Sequence, residues 1–233
     1  MATSDTFAPI LFYLGPLPIG ETVVTTWALL LMFFVISWLS TRSLKLEPGP
    51  WQAALDGIVG AIQDAIEAVL PEYYLNILPF VASLWIFLVI ANLIGIIPGL
   101  HAPTGDVSTT AALGVLVFFS VHWYGVRIHG VKKYLRHYIE PNPILLPFHI
   151  VSEISRTVAL AVRLFGNIFS LEMAALLVLL VAGFLVPVPV LLLHIVEALV
   201  QAYIFGMLAL IYIAGGIQSL ALKHKGEEGV ANA

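Results

Sequence analysis

Arg163 stands in the run Thr157-Val158-Ala159-Leu160-Ala161-Val162-Arg163-Leu164-Phe165-Gly166-Asn167, with no acidic residue within one helical turn to neutralise it. Arginine keeps its proton in proteins, so this residue carries a fixed cation into an apolar segment. Glu172 follows nine residues later. Beyond a pair of prolines come His194, Glu197 and Gln201, at i, i+3 and i+7. That spacing stacks the three on one face of a helix. An imidazole titrates near neutral pH, and polar groups in an otherwise apolar helix mark ion or proton paths. The bland counterpart is a hydrogen-bonded packing cluster between two helices. His149, Glu153 and Arg156 form a separate group further upstream. Glu153 lies three residues before Arg156, a spacing that predicts a balancing ion pair near an interface, where arginine can snorkel. Nucleophilic and phosphate chemistry is absent from the pattern. The chain has no cysteine, no Gly-rich phosphate loop, no HExxH and no GxSxG. No second histidine or cysteine is spaced to complete a metal site with His194 and Glu197, so no metal and no cofactor are expected.

The surrounding composition decides what holds these residues. Of 233 residues, 60% are hydrophobic and 10% charged, and the mean hydropathy is +1.00. A soluble domain is about 45–50% apolar and about 25% charged, and one of this size could not hide so much apolar surface. A soluble globule and a disordered chain are excluded. The net charge of -4 excludes a nucleic-acid partner, because phosphate binding runs on clustered Lys and Arg. The reading is an all-α integral membrane protein forming a single membrane domain in a lipid bilayer.

A crossing helix needs about 20 mainly apolar residues. Residues 23–40, 77–97 and 108–126 qualify, the first with Trp27 and Trp38 as interfacial anchors. The stretch 144–186 would reach about 60 Å as one helix, roughly twice the hydrocarbon thickness. Pro187 and Pro189 punctuate a turn, and a second overlong stretch covers 190–222. The expectation is five crossing passes, the last two a long tilted helical hairpin. Residues 51–70 carry an apolar helical stripe opposite Asp56, Asp64 and Glu67, which predicts an interfacial or partner-docking helix.

Basic residues predict the sidedness. Arg42 and Lys45 follow the first pass; Arg127, Lys132, Lys133 and Arg136 follow the third; Lys223 and Lys225 close the chain. An N-terminus outside and a C-terminus in the cytoplasm puts all eight on the cytoplasmic side. No Lys or Arg precedes Arg42, whereas a secretory signal opens with positive charge, so the first apolar run is expected to remain a crossing helix. No duplicated halves are visible, unlike transporters built on repeats.

Arg163-Leu164-Phe165-Gly166-Asn167 followed by Glu172, and His194 followed by Gln201-Ala202-Tyr203-Ile204-Phe205, resemble subunit a of the F-type ATP synthase. Asn92-Leu93-Ile94-Gly95-Ile96-Ile97-Pro98-Gly99 and Pro103-Thr104-Gly105-Asp106-Val107-Ser108-Thr109-Thr110 agree, and the likeness runs from about residue 48 to 215. The resemblance implies the membrane stator of the Fo sector in a bacterial inner membrane, pressed against a ring of c subunits and held by a b-subunit peripheral stalk. It is not an enzyme by itself. Arg163 would face the carboxylate of each passing c subunit. Glu172, His194 and Gln201 match positions lining or bordering an aqueous half-channel, Asn167 matches the polar residue one turn from the arginine, and Asp106 falls in a non-cytoplasmic loop. His149 departs from an acid common in the family, and Glu197 adds a carboxylate between His194 and Gln201. H+ is the expected ion. The rival reading is an independent proton-coupled transporter or channel in which Arg163 binds a substrate carboxylate.

Overall fold

The computed structural model describes residues 10–14, 17–42, 49–97, 100–134, 146–182 and 187–231. Helix α1 (Glu21–Arg42) opens on an acid and closes on a base, each complementing the helix dipole. Arg42 lies 4.1 Å over the Trp38 ring, a cation–π contact that seats the basic end. Ahead of α1, strands β1 (Ile10–Leu14) and β2 (Leu17–Gly20) pair as an antiparallel hairpin, an element the sequence pattern did not suggest. Helix α2 (Pro50–Val69) starts on proline, whose missing N–H is no loss at that position.

Helix α3 (Tyr74–Leu93) runs into a tight turn at Ile94–Ile96, and a second tight turn, Pro103–Gly105, leads into α4 (Val107–His129). Asp106 caps α4 by accepting the Ser108 N–H at 2.8 Å. The hairpin consists of α5 (Leu146–Ala182) and α6 (Pro187–Ala231). At 1.5 Å per residue these helices are about 55 and about 68 Å long, well beyond the hydrocarbon thickness. Among the described residues, five helical segments are long and apolar enough to cross a membrane: Glu21–Arg42, Tyr74–Ile96, Val107–His129, Leu146–Val181 and Pro189–Gln218.

The core sits where α3, α4, α5 and α6 meet. Leu84 and Leu88 of α3, Leu160, Leu164 and Ile168 of α5, and Ala202, Phe205 and Ala209 of α6 are all buried there. Small residues on α6 let its neighbours approach closely, as in membrane helix pairs generally. Gly206 shows why: a Cβ there would lie 2.9 Å from the Trp85 ring. A second cluster brings Ile66 and Leu70 from the end of α2 against Ile77, Val81, Leu210 and Ile213, while Trp51, Ile58 and Val59 at its other end stay exposed.

The bundle has two distinguishable ends. At one, the start of α1 meets the loop before α4, where the Thr22 hydroxyl donates to Asp106 at 2.9 Å and His101 lies 3.7 Å from Glu21. At the other, His129 contacts the Ile217 carbonyl at 3.0 Å and Gln218 donates to the Val69 carbonyl at 3.2 Å. Arg127, Lys132 and Lys133 gather at this second end. Both hairpin helices also carry a bare apolar stripe, with Val151, Val158 and Val162 on α5 and Leu193, Val196, Val200 and Tyr203 on α6 exposed.

Candidate functional site

Leu160, Leu164 and Ile168 define the buried face of α5. Arg163 lies about 100° around the helix from the middle of that face. Its side chain is accordingly exposed, beside Val162 on the bare stripe, and makes no hydrogen bond or ion pair among the described residues. One turn further, the Asn167 amide donates to Gln201 Oε1 at 2.7 Å. This bond ties α5 to α6 next to the arginine.

From Gln201 a polar seam runs along α6. His194 and Gln201 are each 1% exposed, and the Nε2 atoms of both lack hydrogen-bond partners among the described residues. Buried polar nitrogens rarely stay unpaired, and water can supply such a partner. Asn92 of α3, also fully buried, donates to the Ala198 carbonyl at 3.1 Å and accepts from the Thr104 hydroxyl at 2.7 Å. Ala198 lies between His194 and Gln201, so Asn92 faces the middle of the seam.

The seam's acid comes from the partner helix. Glu172 Oε1 accepts the Ala102 N–H at 3.0 Å. A Cβ at Gly95 would come within 3.1 Å of that oxygen, and one at Gly105 within 2.9 Å of Oε2. The loop backbone thus closes around the carboxylate, and a side chain at either glycine would require the Glu172 carboxylate to shift. Glu197 does not join the seam: it is half-buried and makes no hydrogen bond or ion pair among the described residues. The reason is helical phase. Although i+3 from His194, it stands about 90° from the middle of the buried α6 face.

A second polar cluster occupies the opposite end of the bundle. A cavity of about 350 Å³ is lined there by His122, Tyr134, His149, Glu153, Arg156 and Tyr212. Here the sequence expectation needs correcting. Glu153 meets His122 of α4, Nε2 to Oε2 at 3.2 Å, while Arg156 lies 5.8 Å over the Tyr212 ring. Glu153 turns inward toward α4, and the exposed Arg156 finds the π-face of α6 instead.

The sequence reading passed over His122, and it named Asn92 and Thr104 only within matching motifs, with no role at the site. His122 has no acid within a turn on its own helix, because its partner is 31 residues away. A titratable side chain inside an otherwise uncharged pass was the signal available. No cluster of three or more metal-ligating side chains forms among the described residues. Along α5, Arg163 stands ten residues after Glu153 and nine before Glu172, about 15 and about 14 Å away. One fixed cation therefore sits midway between two polar sites that belong to opposite ends of the bundle.

Comparison with known proteins bears on this arrangement. The profile of the family described as ATP synthase A chain matches residues 23–214. The chain is 60% identical over 218 residues to ATP synthase subunit a 2 of Pelobacter propionicus, covering 94% of this chain and 96% of that protein. It is 55% identical over 228 residues to ATP synthase subunit a of Legionella pneumophila, covering 97% and 99%. It is also similar to ATP synthase subunit a 1 of Hahella chejuensis, 61% identical over 210 residues that cover 90% and 89% of the two chains.

Proposed function

The chain belongs to the ATP synthase subunit a family, the ion-translocating membrane stator of the Fo sector, and from that premise we propose that Arg163 is the charge against which a ring of c subunits turns. The observation that carries this reading is its position. The arginine has no hydrogen-bond or ion-pair partner among the described residues and stands on an exposed apolar stripe, midway between two polar sites at opposite ends of the bundle.

The bare stripes of α5 and α6 supply the surface for the ring. A ring carboxylate reaching Arg163 meets a fixed cation, which lowers an acid's pKa by about 1–3 units. The carboxylate therefore gives up its ion on arrival. Direct passage of a cation between the two polar sites is blocked by the same charge, since like charges repel strongly where the dielectric is low. The ion must ride the ring instead. H+ reaches it by way of Glu172, His194 and Gln201, with Asn167 holding Gln201 in place, and leaves through the cavity beside Glu153, His149 and Arg156. Each charge crossing 100 mV contributes about 2.3 kcal/mol, so several ions drive each ATP.

In this reading the chain lies in a bacterial inner membrane with its N-terminus outside and its C-terminus in the cytoplasm. A b-subunit stalk holds it against the ring's torque. It performs no ATP chemistry of its own. An independent transporter is disfavoured by the outward position of Arg163, because a substrate carboxylate would need an enclosed pocket there. The test is Arg163→Ala in the assembled complex, assayed by ATP-driven pumping into vesicles. Pumping should be abolished while the subunit still co-purifies with its ring; wild-type pumping would overturn the assignment.

A further inference from the structure

We propose that His122 and Glu153 together form a proton-holding site, a two-residue relay at the basic end of the bundle that nothing in the family description assigns. The proposal rests on the reading of the adjoining cavity as the path by which ions leave.

The geometry of His122 fixes its protons. Nδ1 lies 2.9 Å from the Phe118 carbonyl oxygen, which can only accept, so Nδ1 carries a hydrogen. Any hydrogen between Nε2 and Glu153 Oε2, 3.2 Å apart, is then a second one shared by a base and an acid. The pair is either an imidazolium beside a carboxylate or a neutral imidazole beside a carboxylic acid. Both states have zero net charge, the condition that a low-dielectric interior tolerates. Without that hydrogen a bare lone pair would face a carboxylate, and the contact would be repulsive.

Other titratable or charged groups face the pair from every side. Tyr134, in the segment after α4, has its ring 5.9 Å from that of His122. Among the described residues, His149 and Arg156 of α5 and Tyr212 of α6 also line the cavity. Arg156 is a fixed cation on this wall among the described residues, and its charge opposes a second proton remaining on the pair. That makes the site a relay rather than a trap. A proton arriving from the Arg163 side bonds to a carboxylate oxygen of Glu153. The Nε2–H bond of the imidazolium breaks, its electron pair stays on nitrogen, and that proton passes to water in the cavity. The carboxyl proton then shifts to Nε2 and restores the ion pair. One proton enters and one leaves.

The experiment uses the whole complex in vesicles, with turnover normalised to assembled subunit across a pH series. His122→Gln and Glu153→Gln keep the shape and remove the proton exchange. A positioned acid or base contributes about 10²–10⁴-fold; cavity water substitutes in part, so each variant should lose about tenfold, with an altered pH profile. The double variant should be no slower than the worse single variant. Wild-type turnover and pH profile in His122→Gln, strictly additive losses, or turnover set by Na+ and indifferent to pH would each overturn the relay. Ser152→Cys, on the cavity wall, separates this failure from that of the path. Labelling from the basic side by a water-soluble thiol reagent, with His122→Gln at wild-type speed, would sink the relay alone. Protection from the reagent would sink both.

Discussion

The Arg163 guanidinium, which touches no acid among the described residues and stands on a bare apolar stripe, is, in the proposed reading, matched by a carboxylate brought from outside the chain. Arg163→Lys should therefore fail nearly as badly as removal. An ammonium is a compact point charge, lacks the planar fork that grips a carboxylate, and loses its proton more readily when desolvated. Pumping above half the wild-type rate would contradict this. The two acids near the seam are expected to differ. Glu172 is wrapped by Gly95, Gly105 and the Ala102 N–H, whereas Glu197 has no hydrogen-bond or ion-pair partner among the described residues. Glu172→Gln preserves shape and removes charge, so it should slow pumping severalfold more than Glu197→Gln; equal losses would refute the ranking. Arg163, Glu172, His194 and Gln201 stand out in the sequence as candidates because a polar group in an apolar run announces itself. Their pairings were not, since Asn167 to Gln201 spans 34 residues and Glu172 to Ala102 spans 70.

Helices were the most readable elements, because a run of apolar residues longer than a membrane pass needs no tertiary information to identify. Where the reading stopped short, the cause is local. The β1–β2 hairpin uses strands of five and four residues, too short for alternation to stand out against apolar flanks. His194, Glu197 and Gln201 fall within an arc of about 60° on α6, but their spacing does not say how that arc is turned against its neighbours, which bury His194 and Gln201 and leave Glu197 at the edge. Close packing of α6 on α3 gives a direct stability test. Gly206→Val would drive a side chain into Trp85, where a Cβ already lies 2.9 Å from the ring. Overpacking of this kind costs about 1–3 kcal/mol. The thermal midpoint of the detergent-solubilised complex should fall accordingly. Gly57→Ala on α2, where an added Cβ meets nothing within 4 Å, should leave it unchanged or raise it, since glycine inside a helix is less favourable than alanine by about 0.5–1 kcal/mol. A fall in the second variant matching the first would show that α6 packing is not what the measurement reports.

At the scale of the whole molecule, the separation of the two polar sites is what converts a set of side chains into a device. Glu153 and Glu172 are 19 residues apart on α5, about 28 Å along a straight helix, which is nearly the full hydrocarbon thickness. In the proposed reading neither site crosses the membrane alone, and the arginine between them prevents their joining. Arg127, Lys132 and Lys133 lie at the end that carries Glu153, so the sidedness proposed from the basic residues would assign that end to the cytoplasm. The burial of Gln201 beneath α5 could not be read, as it depends on how two distant helices are rotated against each other. The sidedness itself is open to a direct chemical test, because the chain contains no cysteine and every introduced thiol is the sole target. His194→Cys and Gln201→Cys should react with a water-soluble thiol reagent added outside the cell and be shielded from the same reagent added to inverted vesicles. Gly215→Cys, on the cavity wall beside Tyr212, should show the reverse. If the polar seam were only packing, its thiols would be protected from both sides while assembly suffered. If it were one continuous pore, both groups would react from either side. Only two paths that meet at the ring, and not at each other, give opposite labelling at positions on one helix.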